Sequence, residues 1–397
     1  MTNTDKEYVR VLEDILKNGK EKESRAGKTL SVFGRQIRFD LKEGIPMLTT
    51  KKFFYRGILH ELLWFLNKSF NPHRSMNIEY LIRNNVHIWD DDAYRWFKEW
   101  VKKEIITANR KNFFFYVAQN DDYGLHKTPS FEWWIENDLH KGDIEWLKSI
   151  TKEMFLDLVA QRVEMRLDID EEIGVQKVYR FGDLGPIYGK QWRAFGTSET
   201  DQIQNIIDAL KTDPSNRRLV CLAYNPDVLN RVALPPCHVM MQFWTRKLTL
   251  DERVEAFNKR NNMKETVSSL SEEDLNNTNT PKYGLSCMWT QRSGDWCLGV
   301  SSNIFSYGTL TYMIAKLVNM VPDELIGSIG DCHIYMNQMD GVQEQLNRKG
   351  SDVVPKLLIH GDHKSIEDFE FGDFEIVDYN PDPPIKFPLS VGDNLTL

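Results

Sequence analysis

The run Leu234-Pro235-Pro236-Cys237-His238 limits what this chain can fold into more than any other stretch. Consecutive prolines lock φ into a narrow range just before a thiol, and an apolar, strand-like run over 239–244 follows directly. A backbone held in this way fixes a cysteine at the edge of a sheet and leaves its side chain little choice of direction. Such a cysteine is either an inert small hydrophobe, since free cysteine is among the most buried residue types, or a positioned nucleophile. Its company elsewhere in the chain decides between the two.

At 397 residues the chain is long enough for one large α/β unit or two ordinary domains. A hydrophobic content of 41% with 12% aromatic residues supplies a packed core and excludes a disordered chain. The formal net charge of -8 argues against a general nucleic-acid binder, while leaving room for a local basic pocket. Five cysteines, with no CxxC pair, point to reduced thiols in the cytoplasm rather than a disulfide framework or a metal site. The N-terminal MTNTDKEYVR lacks the apolar core of a signal peptide. No apolar stretch approaches the roughly 20 residues of a bilayer span, so no membrane partner is expected.

Local patterns set the expected elements. Residues 5–18 place Tyr8, Val11, Leu12, Ile15 and Leu16 on one helical face, with Gly19 as a stop. A basic turn, Arg25-Ala26-Gly27-Lys28, leads into an alternating strand pattern over 30–39. Residues 53–66 are apolar almost all round and predict a buried helix carrying Glu61 at its centre. A carboxylate there is either half of a structural ion pair or a functional group of the kind that clusters at active sites. Residues 93–180 are charged and rich in aromatics, which pack as core or interface more often than as ligand platforms, and 143–163 is helical by period. Ser215-Asn216-Arg217-Arg218 is either surface charge or a phosphate clamp, because guanidinium forks match phosphate oxygens. Residues 251–283 are polar and read as an enlarged hairpin connection, part of it a candidate mobile loop. Strands are expected over 219–224 and 284–290, helices over 201–210 and 309–320, and a glycine-bounded turn before Asp331-Cys332-His333.

The order of the blocks RAGKTLSVFG, ILHELLWFL, IWD, DLGPIYGKQWRAF, SNRRLV, LPPCH, QRSGDWCLGV, SNIFSY, GDCHIYMNQ and YNPDPPIK resembles the thymidylate synthase and pyrimidine hydroxymethylase superfamily. The resemblance covers most of residues 1–92, 181–247 and 284–391. It implies an α/β (α+β) fold: a twisted mixed sheet that forms a homodimer interface, with covering helices. The whole of 1–397 would then be one catalytic domain, with a mostly helical, aromatic-rich insert at 93–180 and a polar insert at 251–283.

The resemblance also implies the chemistry. C5 of uracil is a poor nucleophile until a thiolate adds at C6 and turns the ring into an enolate, so Cys237 would be the nucleophile, with a guanidinium favouring its thiolate. Arg25, Arg217, Arg218, Arg292 and Ser293 match contacts to the nucleotide phosphate, Arg217 and Arg218 reaching across a homodimer. His333 and Tyr335 match residues on the sugar hydroxyl, and Asn303 matches the residue facing N3 and O4 of the base. An amide accepts from N3–H and donates to O4 of uracil at once, which favours dUMP over dCMP provided its neighbours hold it that way round. Glu61 matches a carboxylate that manages proton transfers through ordered water, and Tyr188 a group that removes the C5 proton. His238 and Gln291 match supporting positions around the substrate. Trp89, Asp295, Gly299, Leu234 and Ile88 match the side that holds methylenetetrahydrofolate, Asp295 with a catalytic part as well.

The departures gather on the folate side. Synthases read Trp-Asp-x-Trp where this chain has Trp89-Asp90-Asp91-Asp92, and Val-Pro-Phe-Asn where it has Val300-Ser301-Ser302-Asn303. Residues 392–397 extend beyond the position of Val391, where the synthase tail ends. Hydride transfer needs folate held tightly and water excluded. The expectation is therefore a dUMP hydroxymethylase, with a dTMP-forming synthase as one alternative and a partner- or RNA-binding protein on a vestigial core as another.

Overall fold

In the computed structural model, which describes residues 1–24, 26–70, 75–107, 113–117, 144–170, 175–261, 263 and 269–389, the alternating run over 30–39 lies inside a long strand. The strands in chain order are β1 Lys20–Ser24, β2 Gly27–Asp40, β3 Phe113–Val117, β4 Val163–Asp170, β5 Val175–Arg180, β6 Val220–Leu222, β7 His238–Lys247, β8 Tyr283–Asp295, β9 Val321–Tyr335, β10 Lys356–Ile359 and β11 Phe374–Val377. Chain contacts divide into two compact units: Met1–Leu66 with Trp192–Tyr224 and Pro236–Leu397, and Asn67–Gln191 with Asn225–Pro235. The two prolines before Cys237 thus straddle the boundary.

The first unit is built on a six-stranded sheet of order β1-β2-β9-β8-β7-β6. β8 and β9 run parallel and their neighbours antiparallel, so the sheet is mixed, as the resemblance implies. The helix Tyr55–Leu66 buries Ile58, Leu59, Leu62, Leu63, Trp64, Phe65 and Leu66; each such side chain contributes about 1.5–3 kcal/mol on leaving water. With the helix Ser301–Leu317 it forms a core around Ile45, Met47, Ile58, Leu59, Phe305 and Leu357.

One expectation for this unit gains detail and another needs correcting. The polar connection over 251–283 joins the antiparallel pair β7 and β8 and carries the helices Leu250–Arg260 and Glu272–Asn277, each started by a reciprocal capping box, at Thr249 with Glu252 and at Ser271 with Asp274. Caps of this kind let polar sequences form helices without a wide apolar face. No turn precedes Asp331, since Gly327 and Gly330 lie within β9. Gly327 is paired with Trp289 on β8, and a Cβ there would stand 2.4 Å from the indole, so the glycine is what lets a buried tryptophan lie across the neighbouring strand.

The second unit holds helices Asp90–Trp100, Ile144–Ser149 and Lys152–Ala160, the π-helical turn Val101–Thr107, and the antiparallel sheet β3-β4-β5. Here the single helix expected over 143–163 is two short ones, with Thr151 capping the second, and Val163 already begins β4. Several of its described aromatics pack together: the Phe97 ring lies 5.3 Å from Phe155 and 5.1 Å from Phe181, and Trp100 stacks on Tyr179 at 4.3 Å. Among the described residues no helix is long and apolar enough to cross a membrane.

Candidate active site

Cys237 stands out from the other thiols by exposure and by neighbour. Cys221, Cys287, Cys297 and Cys332 are buried, whereas Cys237 is only half-buried. Burial pushes the thiols of Cys287, Cys297 and Cys332 up to about 12, which leaves them protonated and inert. The exposed Arg292 meets Cys237 instead. Its Nη2 lies 3.8 Å from Sγ, its Nε donates to the Pro236 carbonyl at 2.9 Å, and its backbone N–H donates to the Cys237 carbonyl at 2.8 Å. Those two backbone-directed bonds fix the charge beside the sulfur.

A buried relay runs from this strand pair to Asn303. His238 is hydrogen-bonded through Nδ1 to the Tyr307 hydroxyl at 2.7 Å, and burial lowers its pKa to about 3, so it is a neutral imidazole. Tyr307 stacks on Trp289 at 5.4 Å. The Trp289 indole donates to Gln291 Oε1 at 3.2 Å, and Gln291 Nε2 donates to the Ser293 carbonyl at 2.8 Å. Asn303 Nδ2 donates to the same Gln291 Oε1 at 2.8 Å. An indole can only donate, so it dictates which end of Gln291 faces it, and Gln291 in turn dictates the amide of Asn303. What Asn303 keeps is Oδ1 and one N–H.

The remaining expected residues of this unit take distinct places. Asp295 Oδ1 caps the turn after β8 by accepting from the N–H groups of Cys297 (2.9 Å) and Leu298 (3.3 Å), and Oδ2 accepts from Gln338 at 3.1 Å. Gly299 has open space where a Cβ would stand. The hydroxyls of Ser301 and Ser302 both donate to the Leu298 carbonyl, at 3.0 and 3.1 Å. Their protons therefore go to the chain itself, so these two hydroxyls do not make the wetter wall expected from them. His333 is buried beside Asp331, whose carboxyl is held well below the usual range by His333 first and by Lys22 and Ser31 after it, and its ring meets Tyr335 edge-on at 5.2 Å. Glu61 is half-buried at the centre of its helix. Arg217 and Arg218 are exposed, and neither guanidinium has an ion pair or hydrogen bond among the described residues. Arg25 lies outside the described residues, as does the stretch 390–397.

Ile88, Trp89, Tyr188 and Leu234 belong to the second unit. The Trp89 and Tyr188 rings lie edge-to-face at 6.1 Å, both buried, and Tyr188 has a positive φ of 22° that is unusual for a bulky side chain. Gly185, three residues before it, approaches so closely that a Cβ would stand 2.0 Å from the Arg231 carbonyl. Ile88 is exposed and Leu234 half-buried. Asp92 points its carboxylate at Arg95 one turn further on, and Arg95 also donates to the Ala233 carbonyl at 3.3 Å. Neither Arg95 nor the Trp289–Gln291–Asn303 relay was singled out from sequence, although Asp92 and Arg95 stand at i,i+3 and Trp289 and Gln291 at i,i+2, the spacings of side chains on one face.

The sequence profile of the thymidylate synthase family matches residues 6–391. The chain belongs to that family. The thymidylate synthases of Listeria monocytogenes serovar 1/2a and Listeria innocua serovar 6a are each 34% identical to it over 392 residues, spanning 97% of this chain and 100% of the relative. This protein is accordingly a folate-dependent one-carbon transferase acting at C5 of dUMP, with methylenetetrahydrofolate as co-substrate. Members of the family typically work as homodimers.

Proposed function

We propose that this enzyme hydroxymethylates dUMP. Cys237 adds to C6 of the uracil, with Arg292 stabilising the thiolate. Asn303 accepts from N3–H through Oδ1 and donates to O4 through its remaining N–H, the pattern of uracil and not of cytosine. Arg25, Arg217, Arg218 and Ser293 take the phosphate, with Arg217 and Arg218 serving the other subunit's site. His333 and Tyr335 take the sugar hydroxyl. The neutral His238 and Gln291 hold the base-facing groups. Glu61 moves protons at O4, and Tyr188 receives the C5 proton. Methylenetetrahydrofolate supplies the one-carbon unit; Trp89, Ile88, Leu234, Asp295 and Gly299 hold it, and Asp295 assists its activation.

The exocyclic methylene left on C5 of the nucleotide has two fates. Hydride gives dTMP and dihydrofolate. Water gives 5-hydroxymethyl-dUMP and tetrahydrofolate. The observation that carries the second fate is the ion pair of Asp92 with Arg95, at the position where synthases place an aromatic residue. A charged pair brings hydration to a wall that hydride transfer needs dry. Only about 1.4 kcal/mol of barrier difference redirects a shared intermediate tenfold. Reductive methylation is the second reading, favoured by the names of the Listeria relatives. Incubation with dUMP and methylenetetrahydrofolate, following dihydrofolate by absorbance and the nucleotide by mass, tests it. A nucleotide heavier by CH2O without dihydrofolate supports hydroxymethylation, and dTMP with matching dihydrofolate overturns it.

A further inference from the structure

Within the first unit, Asp331 is tied down more firmly than a carboxylate on a strand requires. β9 places Asp331, His333 and Tyr335 at i, i+2 and i+4, which is one face of the strand. The carboxylate is held at both ends: Ser31 Oγ on β2 donates to Oδ1 at 2.6 Å, and Lys22 Nζ on β1 donates to Oδ2. Pinned in this way, Oδ1 stands 3.3 Å from His333 Nδ1, and the Asp331 backbone carbonyl stands 3.4 Å from the same nitrogen. The Tyr335 ring, edge-on at 5.2 Å and at 90° to the imidazole, holds its plane.

The chemistry of these partners decides where the ring proton sits. A carboxylate and a carbonyl can only accept, so Nδ1 carries the hydrogen. The neutral imidazole then presents Nε2 as a bare acceptor. Sheet register ties this pair to the thiol. Arg292, whose backbone N–H donates to the Cys237 carbonyl, is followed by Ser293, which pairs with Asp331, and Asp295 pairs with His333. A dUMP attached at Cys237 has one sugar hydroxyl, at C3′.

We propose that Asp331 is a positioning residue that fixes the tautomer of His333 and so selects a 3′ substituent able to donate a hydrogen bond; this rests on the reading that His333 takes the sugar hydroxyl. The 3′-hydroxyl donates to Nε2. A substituent of similar size that only accepts, such as fluorine, meets the Nε2 lone pair with lone pairs of its own and is rejected. Lys22 and Ser31 serve the selection by keeping the carboxylate in place.

The test is calorimetric titration of the wild-type protein, Asp331→Ala, Asp331→Asn and His333→Ala with dUMP and with its analogue bearing fluorine in place of the 3′-hydroxyl. The readout is the ratio of the two dissociation constants, which a loss of packing that weakens both nucleotides alike does not move. The wild type should favour the hydroxyl. In Asp331→Ala the ring proton is free to move to Nε2, and the ratio should shrink by about three- to tenfold. In Asp331→Asn, whose Oδ1 still accepts, it should shrink less. An unchanged ratio in Asp331→Ala, beside lost discrimination in His333→Ala, overturns the role of Asp331 and leaves the reading of His333 standing. A wild type that does not tell the two nucleotides apart, or a His333→Ala protein that discriminates in full, overturns that reading and the proposal with it.

Discussion

Replacing Trp289 by phenylalanine removes one N–H from the relay that orients Asn303 and leaves much of the surrounding packing in place. Its indole donates to Gln291 Oε1 at 3.2 Å, the long end for such a bond and between neutral partners. A bond of that kind is worth about 0.5–1.5 kcal/mol net. With it gone, only the bond from Gln291 Nε2 to the Ser293 carbonyl still orients the amide, so Asn303 is held less firmly and turns more readily to suit N3 and the 4-amino group of cytosine. The stacking on Tyr307, at 5.4 Å with planes 8° apart, is available to phenylalanine as well. The smaller ring leaves a space in a fully buried site, which should lower stability by about 1–3 kcal/mol, the scale of a large-to-small core change that keeps most of the ring. The assay is calorimetric titration with dUMP and with dCMP. The ratio of their dissociation constants, expected to favour dUMP in the wild type, should shrink by about three- to tenfold. Equal weakening of both nucleotides would refute the reasoning, because it would reduce Trp289 to packing.

Three further outcomes follow from the geometry. Gly327→Ala would drive a methyl into a rigid, buried indole at 2.4 Å, and should destabilise the fold by about 2–4 kcal/mol in chemical denaturation. His238 has its pKa lowered to about 3 in the fold from 6.5, so the unfolded chain binds its proton first as the pH falls. The stability it contributes is whole above about pH 6.5 and is lost progressively towards about pH 3, about 2 kcal/mol of it by pH 5; His238→Gln should show a shallower acid slope in denaturant melts between pH 7 and pH 5. Cys237→Ala and Arg217→Ala proteins, each inactive, should recover roughly a quarter of wild-type turnover when mixed and allowed to exchange subunits, because half the dimers then carry one complete site. No recovery would place Arg217 in its own subunit's site.

What could be read from the sequence was local or carried by a named motif. The apolar run around Glu61, the alternation over 30–39 and the amphipathic pattern over 201–210 each announce an element, because side-chain period reports directly on the face that is buried. The Pro-Pro-Cys run announced a constrained thiol, although not the Arg292 guanidinium that distinguishes it from four buried ones. What could not be read depended on pairing across distance. Gly327 and Gly330 look like a turn until Trp289 on the neighbouring strand is known to lie against one of them. In the sheet β3-β4-β5 the first two strands are separated in the chain by residues 118–162, a distance that period counting does not bridge. Ser301 and Ser302 suggested a wet wall by composition, and only the helix geometry reveals that both hydroxyls turn back on the Leu298 carbonyl.

The account stands or falls on the origin of one oxygen atom. Turnover of dUMP with methylenetetrahydrofolate in water enriched in heavy oxygen, read by mass spectrometry of the nucleotide, tests it most directly. The account predicts a product carrying solvent oxygen on its C5 substituent, with no dihydrofolate formed. A C5 methyl group without label, and one dihydrofolate for each nucleotide, would contradict it.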